Sequence, residues 1–137
     1  RFLAPPPRRP LSYTGELGRA TFSRIGCASC HPPSLTTGTN RVRALDRKTV
    51  YAYTDLLLHD MGPERADICL GLATPSEFRT EPLMGVRLES RFLHDGRATS
   101  LEQAIALHGG EGGPARDRFQ ALSEEDRAAV IAFLKSL

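Results

Sequence analysis

The chain has 137 residues, a formal charge of +2 and charged side chains at 25% of positions. That length fits one compact domain, and the charge balance excludes a nucleic-acid binder, whose basic residues would gather in a stripe. No apolar run approaches the ~18 residues of a membrane-spanning helix, and ten prolines with no Trp predict a loop-rich domain without an aromatic core.

The first 13 residues carry Pro5, Pro6, Pro7 and Pro10 beside Arg1, Arg8 and Arg9. Consecutive prolines favour an extended, polyproline-like run, so 1–13 is read as an arm or linker and 14–137 as the folded domain. A helix is predicted over 15–25, with Thr14 as N-cap and Gly18, Phe22 and Ile25 on one face. Cys27-Ala28-Ser29-Cys30-His31 follows at once, and then a loop from Pro32 to Asn40. Val50, Tyr53, Leu56, Leu57 and Leu58 predict a short amphipathic helix over 49–59, stopped by Gly62-Pro63. Residues 62–99 are read as irregular, broken by Pro75, Pro82, Gly85 and Gly96. Ser100 and Gln103 form a capping box that opens a helix ending at Gly109-Gly110. A last helix is predicted over 123–137, capped by Ser123, with Arg127, Val130, Ile131 and Leu134 at helical spacing. No stretch reads as a strand, so the predicted fold class is all-α.

Cys27, Cys30 and His31 make the attachment pattern of a c-type heme. Two sulfurs add across the two vinyl groups on one porphyrin edge, and the histidine after the second cysteine reaches the iron. A zinc site would need about four N/S ligands, commonly as a second spaced pair, and no second CxxC or HxxxH exists. A redox dithiol would sit in a βαβ setting that the chain lacks. The third cysteine, Cys69, has no partner in sequence; it is read as a buried inert thiol, with an intermolecular disulfide as the alternative. The whole chain thus reads as long irregular loops and helices wrapped around one covalent heme c.

A second axial ligand would come from His59, Met61, Met84, His94 or His108. Leu101, Ala104, Ile105 and His108 stand at i, i+3, i+4 and i+7, which puts His108 on an apolar helix face. His108 is therefore the expected distal ligand, with Met61 as the alternative. His94, Arg97 and Arg79 are expected near the heme edge, a guanidinium fork being matched to a propionate carboxylate. Neither His59-Asp60 nor His94-Asp95 is read as a catalytic dyad, because adjacent side chains do not face each other; both are read as loop anchors.

An N-terminal helix with Gly18 and Phe22 on one face before the motif resembles class I cytochromes c, whose first and last helices cross closely at a small residue. Beyond the motif, the chain resembles the second heme domain of the bacterial di-heme cytochrome c peroxidase superfamily, in its di-heme oxidoreductase branch. The carrying stretches are residues 3–8, 26–33, 55–63, 77–80, 92–98 and 100–112, which include Asp55 to Pro63, Glu77-Phe78-Arg79-Thr80 and Phe92-Leu93-His94-Asp95-Gly96-Arg97-Ala98. The resemblance implies export to the periplasm or outside the cell, where heme c is attached, and a partner that is a redox protein or a second heme domain or subunit. It also implies a distal ligand at the position of His108, where related peroxidases carry Met or Tyr. One departure matters: family members carry two hemes, and this chain has one CxxCH. The expected function is electron transfer through a single bis-histidine heme. The alternative is a peroxidase or oxidoreductase domain that needs a second heme domain.

Overall fold

The computed structural model describes residues 6–68 and 71–137. Cys69, read above as an unpaired thiol, lies outside the described residues. Two helices frame the structure. α1 spans Tyr13–Arg24, and its N-cap is Ser12, whose hydroxyl accepts from the Gly15 amide at 3.1 Å. The expected cap, Thr14, sits inside the first turn instead. Gly26 follows the helix with φ +96°, a left-handed position that suits glycine and ends α1 just before the cysteine motif. The C-terminal helix, α4 below, spans Glu124–Leu134. Ser123 caps it as expected, and three acidic residues in its first turn complement the helix dipole.

α1 and α4 cross at Gly18, where a Cβ would overlap the Ala129 carbonyl oxygen. The contact is main chain against main chain. Around it Phe22, Tyr53, Phe119, Val130, Phe133 and Leu137 are buried. Phe22, Phe133 and Tyr53 pack edge to face, with ring centroids 5.3 to 6.5 Å apart. The core is thus centred on aromatic rings, contrary to the expectation from composition. Six Phe and three Tyr are few, but three of them converge from distant parts of the chain, which composition cannot register.

Between the framing helices the chain forms β1 (Leu35–Thr36), β2 (Thr49–Val50), β3 (Leu58–Asp60), β4 (Glu77–Arg79), α2 (Leu101–Ala106) and α3 (Gly113–Gln120). β1 pairs antiparallel with β2, and β3 with β4, in the register His59↔Phe78. These two strand pairs correct the all-α expectation, although helices still dominate. The helix expected over 49–59 does not form. Tyr53 and Leu56 adopt φ of +53° and +62°, which a helix cannot contain. Thr54 Oγ1 and Asp55 Oδ1 instead accept from the amides of Leu56 and Leu57, local turns that compete with helical bonding. The apolar run at Leu56, Leu57 and Leu58 is largely exposed. α3 was not expected. Gly112, Gly113 and Pro114 are poor helix formers by residue type, yet proline is tolerated in a first helical turn, where its missing N–H has no partner to lose. α2 ends six residues after Ser100, short of the expected Gly109-Gly110.

Residues 6–12 lie along this body. The Arg9 amide donates to the Ser136 carbonyl at 2.8 Å, and Arg87 Nη2 donates to the Pro7 carbonyl at 3.0 Å. Among the described residues, no helix is long and apolar enough to cross a membrane.

The crossing yields a direct expectation. Gly18→Ala gains helix propensity of about 1 kcal/mol but forces the two backbones apart. Overpacking of this kind costs up to about 3 kcal/mol or more, so denaturant unfolding should show a net loss of about 2 kcal/mol. Unchanged stability would mean that the crossing can open without cost.

Candidate heme site

The cysteine motif leaves the end of α1 as a single tight turn over Cys27–Ser29. Arg118 Nε donates to the Ile25 carbonyl at 2.7 Å and fixes the entry to that turn from α3. Cys27 and Cys30 are partly buried, unpaired thiols. Burial pushes the Cys27 thiol up to about 11 and also raises Cys30, with Asp55 adding to the effect. Zinc binding and dithiol exchange both use the thiolate, so this environment disfavours both.

His31 points its Nδ1 at the Tyr53 carbonyl, 2.9 Å away. Tyr53 is buried and held at φ +53°, a conformation that a bulky residue adopts only where its surroundings impose it. The imidazole packs against Phe22, with ring centroids 6.4 Å apart. Burial lowers the pKa of His31, against the Tyr53 hydrogen bond, and a charge on nearby His108 would lower it further.

His108 follows the end of α2. Its amide donates to the Ile105 carbonyl at 3.1 Å, and its Nδ1 bonds the Ala104 carbonyl at 2.8 Å. That oxygen is one of the last carbonyls of a helix, which intrahelical bonds leave short of partners. Burial lowers the His108 pKa as well. Arg116 holds the His108 carbonyl at 2.8 Å. The distal loop is closed by glycines: a Cβ on Gly109 would meet the Met61 carbonyl, and one on Gly110 the Asp60 carbonyl. Gly112 has both the His108 ring and the Met61 methyl within 3.3 Å of where its Cβ would lie. The two distal candidates of the sequence, His108 and Met61, therefore converge on one place.

The remaining candidates have other partners. His59 has a carboxylate on each nitrogen, Asp55 at 2.9 Å and Glu111 at 2.8 Å. It therefore has no free nitrogen for a metal, although Cys30, Asp55 and His59 could otherwise surround a cation. His94 stacks on Phe78, with centroids 4.3 Å apart, and lies 3.3 Å from Asp67. Arg97 is bonded to Asp95, and the Arg79 guanidinium lies mostly in solvent, 3.9 Å from Glu81. Among the described residues, no hydrogen bond or ion pair joins Arg79, His94 or Arg97 to the His31–His108 centre. Met84 is exposed. Neither the Tyr53 carbonyl nor the Asp55–His59–Glu111 chain is visible from sequence, because these contacts join residues up to 52 apart.

This donor set fits a heme c. The two thiols have heme-attachment spacing. Both imidazoles are bonded at Nδ1 to a main-chain carbonyl, which favours the tautomer that leaves the Nε2 lone pair free for a metal. Among the described residues, neither Nε2 has a hydrogen-bond partner.

The His59 chain has a pH signature. Hydrogen bonds with Glu111 and then Asp55 raise the His59 pKa. Glu111 is held low by His59 and the Asp60 amide. Burial pushes Asp55 up, but the Leu57 amide and His59 outweigh it, and the net shift is downward. The stabilisation from His59 is complete below about pH 6.5 and is lost as pH rises through its raised folded value. The stabilisation from the two carboxylates is present above about pH 4 and is lost on acidification through their lowered values. Against His59→Gln, the parent should therefore gain most in unfolding midpoint between about pH 5 and 6, and less towards pH 8. A gap that stays constant from pH 5 to 8 would count against a charged His59 chain.

The chain is 29% identical over 142 aligned positions to the methylamine utilization protein MauG of Methylorubrum extorquens, covering 93% of this chain and 35% of MauG. Its fold is shared with a hydrazine synthase chain from Kuenenia stuttgartiensis at a TM-score of 0.59 and 18% identity, over 98% of this chain and 50% of that one. The chain thus spans about a third of MauG and half of the hydrazine synthase chain. The family model described as "Di-haem oxidoreductase, putative peroxidase" matches residues 1–137, and the chain belongs to that family.

Proposed function

We propose that this chain carries one heme c on Cys27 and Cys30, with His31 and His108 as its axial ligands, and that it serves electron transfer. The observation that carries this reading is the matched pair of imidazoles, each tethered at Nδ1 and each with Nε2 unbonded. A heme bound there supplies a one-electron iron couple. The chain's residues do the rest. Burial keeps both imidazoles neutral near pH 7, as ligands must be. With a heme held there, His31 and His108 would both serve as donors and no coordination position would stay open to a substrate, which favours electron passage over substrate activation. Phe22 and Tyr53 back the proximal ring, and the glycine-sealed loop backs the distal one. Arg79, His94 and Arg97 remain the proposed propionate partners, with Arg79 the least committed to other groups.

A second reading is that this is one heme domain of a larger oxidoreductase that needs a further heme domain. The share of MauG and of the hydrazine synthase chain left unmatched favours it. The proposed division is then an arm at 1–13 and a cytochrome c domain at 14–137, working outside the cytoplasm, where heme c is attached, with a redox protein or second heme domain as partner.

Heme stain should follow this chain on a denaturing gel, because thioether attachment survives unfolding; heme extracted by acid acetone would contradict covalent attachment. His108→Ala should convert a low-spin spectrum to high spin, while Met61→Leu should leave it low spin. The reverse pattern would assign Met61 as the ligand, with the higher potential of a His/Met pair. The chain alone should turn over hydrogen peroxide far more slowly than about 10 per second, a typical enzymatic rate.

A further inference from the structure

We propose that Arg8 is a positioning residue for the proximal imidazole and acts on it through Tyr53. Tyr53 is bound at both ends. Its carbonyl receives His31 Nδ1 at 2.9 Å, and its phenol oxygen accepts from Arg8 Nη2 at 3.1 Å. The Arg8 guanidinium carbon lies 5.2 Å from the Tyr53 ring centroid and 6.0 Å from that of Tyr51, so cation and ring attract as well as hydrogen-bond. The ring itself is wedged against Phe22 and Phe133.

The backbone makes the link matter. At φ +53° Tyr53 sits in a left-handed conformation that an aromatic residue does not choose. Anchors at the ring and the phenol hold it there, and that conformation sets where the carbonyl points. Once the phenol is released, the backbone can relax and turn the carbonyl away from His31. A histidine whose Nδ1–H loses its acceptor becomes a weaker donor to metal at Nε2.

Arg8 is itself held in place. The flanking residues are tied down through the Arg9 amide to Ser136 and through Arg87 to the Pro7 carbonyl. Pro6 packs on Gly85, where a Cβ would lie 2.7 Å from Pro6 Cγ. The residues read from sequence as an arm thus bring a cation to the residue that orients the proximal ligand.

The significance of this proposal rests on His31 being an iron ligand, but its geometry does not. The test is exchange of the His31 Nδ1 proton, followed by NMR in the reduced, diamagnetic holoprotein for the parent, Arg8→Gln, Tyr53→Phe and the double variant. Each single variant should speed that exchange about fivefold, the effect of losing one hydrogen bond to a charged partner in a half-exposed setting. The double variant should exchange no faster than either single one, because both break the same link. Amide exchange in α1 and α4 should stay at the parent rate. Parental exchange in Arg8→Gln, a double variant showing the product of the two single effects, or equally faster helix amides would each overturn the proposal. Axial coordination is read separately: a parent spectrum without low-spin heme would defeat the bis-histidine reading, and the exchange ratios would then be read on the reduced carbon monoxide adduct, which is low spin and diamagnetic, and would still decide this one.

Discussion

At Gly18 the backbone of α1 rests on the backbone of α4 with no side chain between them. So close a contact aligns the two helices rigidly, and both ends of the structure inherit that alignment. The C-terminal end of α1 delivers Cys27, Cys30 and His31 as one turn. α4 contributes Phe133 to the ring cluster behind His31, and the residues that follow it receive the Arg9 and Gly85 amides on the Ser136 and Leu137 carbonyls. The proximal half of the site is thus built on regular structure, where small displacements are costly.

The distal half follows a different plan. His108 stands just beyond a helix of six residues, and its surroundings are loops sealed by glycines and tied by Arg116 and the Asp55–His59–Glu111 chain. Short helices and loops have few buried apolar groups to fix them, so hydrogen bonds and charge carry the positioning. The two histidines reach the same local arrangement, a carbonyl on Nδ1, by these separate routes: one from a strained turn, the other from the open carbonyls of a helix end.

Local signals in the sequence were legible where the chemistry is local. The CxxCH motif, the Ser100 and Ser123 caps and the two framing helices could all be read from spacing and residue type. The helical face that predicted His108 continued past the helix it was drawn on, because an i to i−3 bond at Ile105 keeps the chain turning. The reading failed where tertiary contacts overrode local pattern. The apolar residues at 50–58 have helical spacing, but Thr54 spends its hydroxyl on the Thr80 carbonyl and the Leu56 amide, and the segment bends into a loop and strand. α3 was hidden because its glycines and proline mimic a turn. The His59 chain was invisible because its carboxylates lie 4 and 52 residues away.

The seam between residues 60–62 and 109–110 has a practical consequence for protein engineering. It is made of main chain alone, so it encodes the height of the distal loop without involving whichever side chain occupies position 108. Libraries that vary residue 108 would leave the scaffold undisturbed provided Gly62, Gly109 and Gly110 stay fixed. Conversely, a saturation scan would find these glycines intolerant although they carry no functional group. Their fitness cost would then mark a backbone seam and should not be mistaken for chemistry.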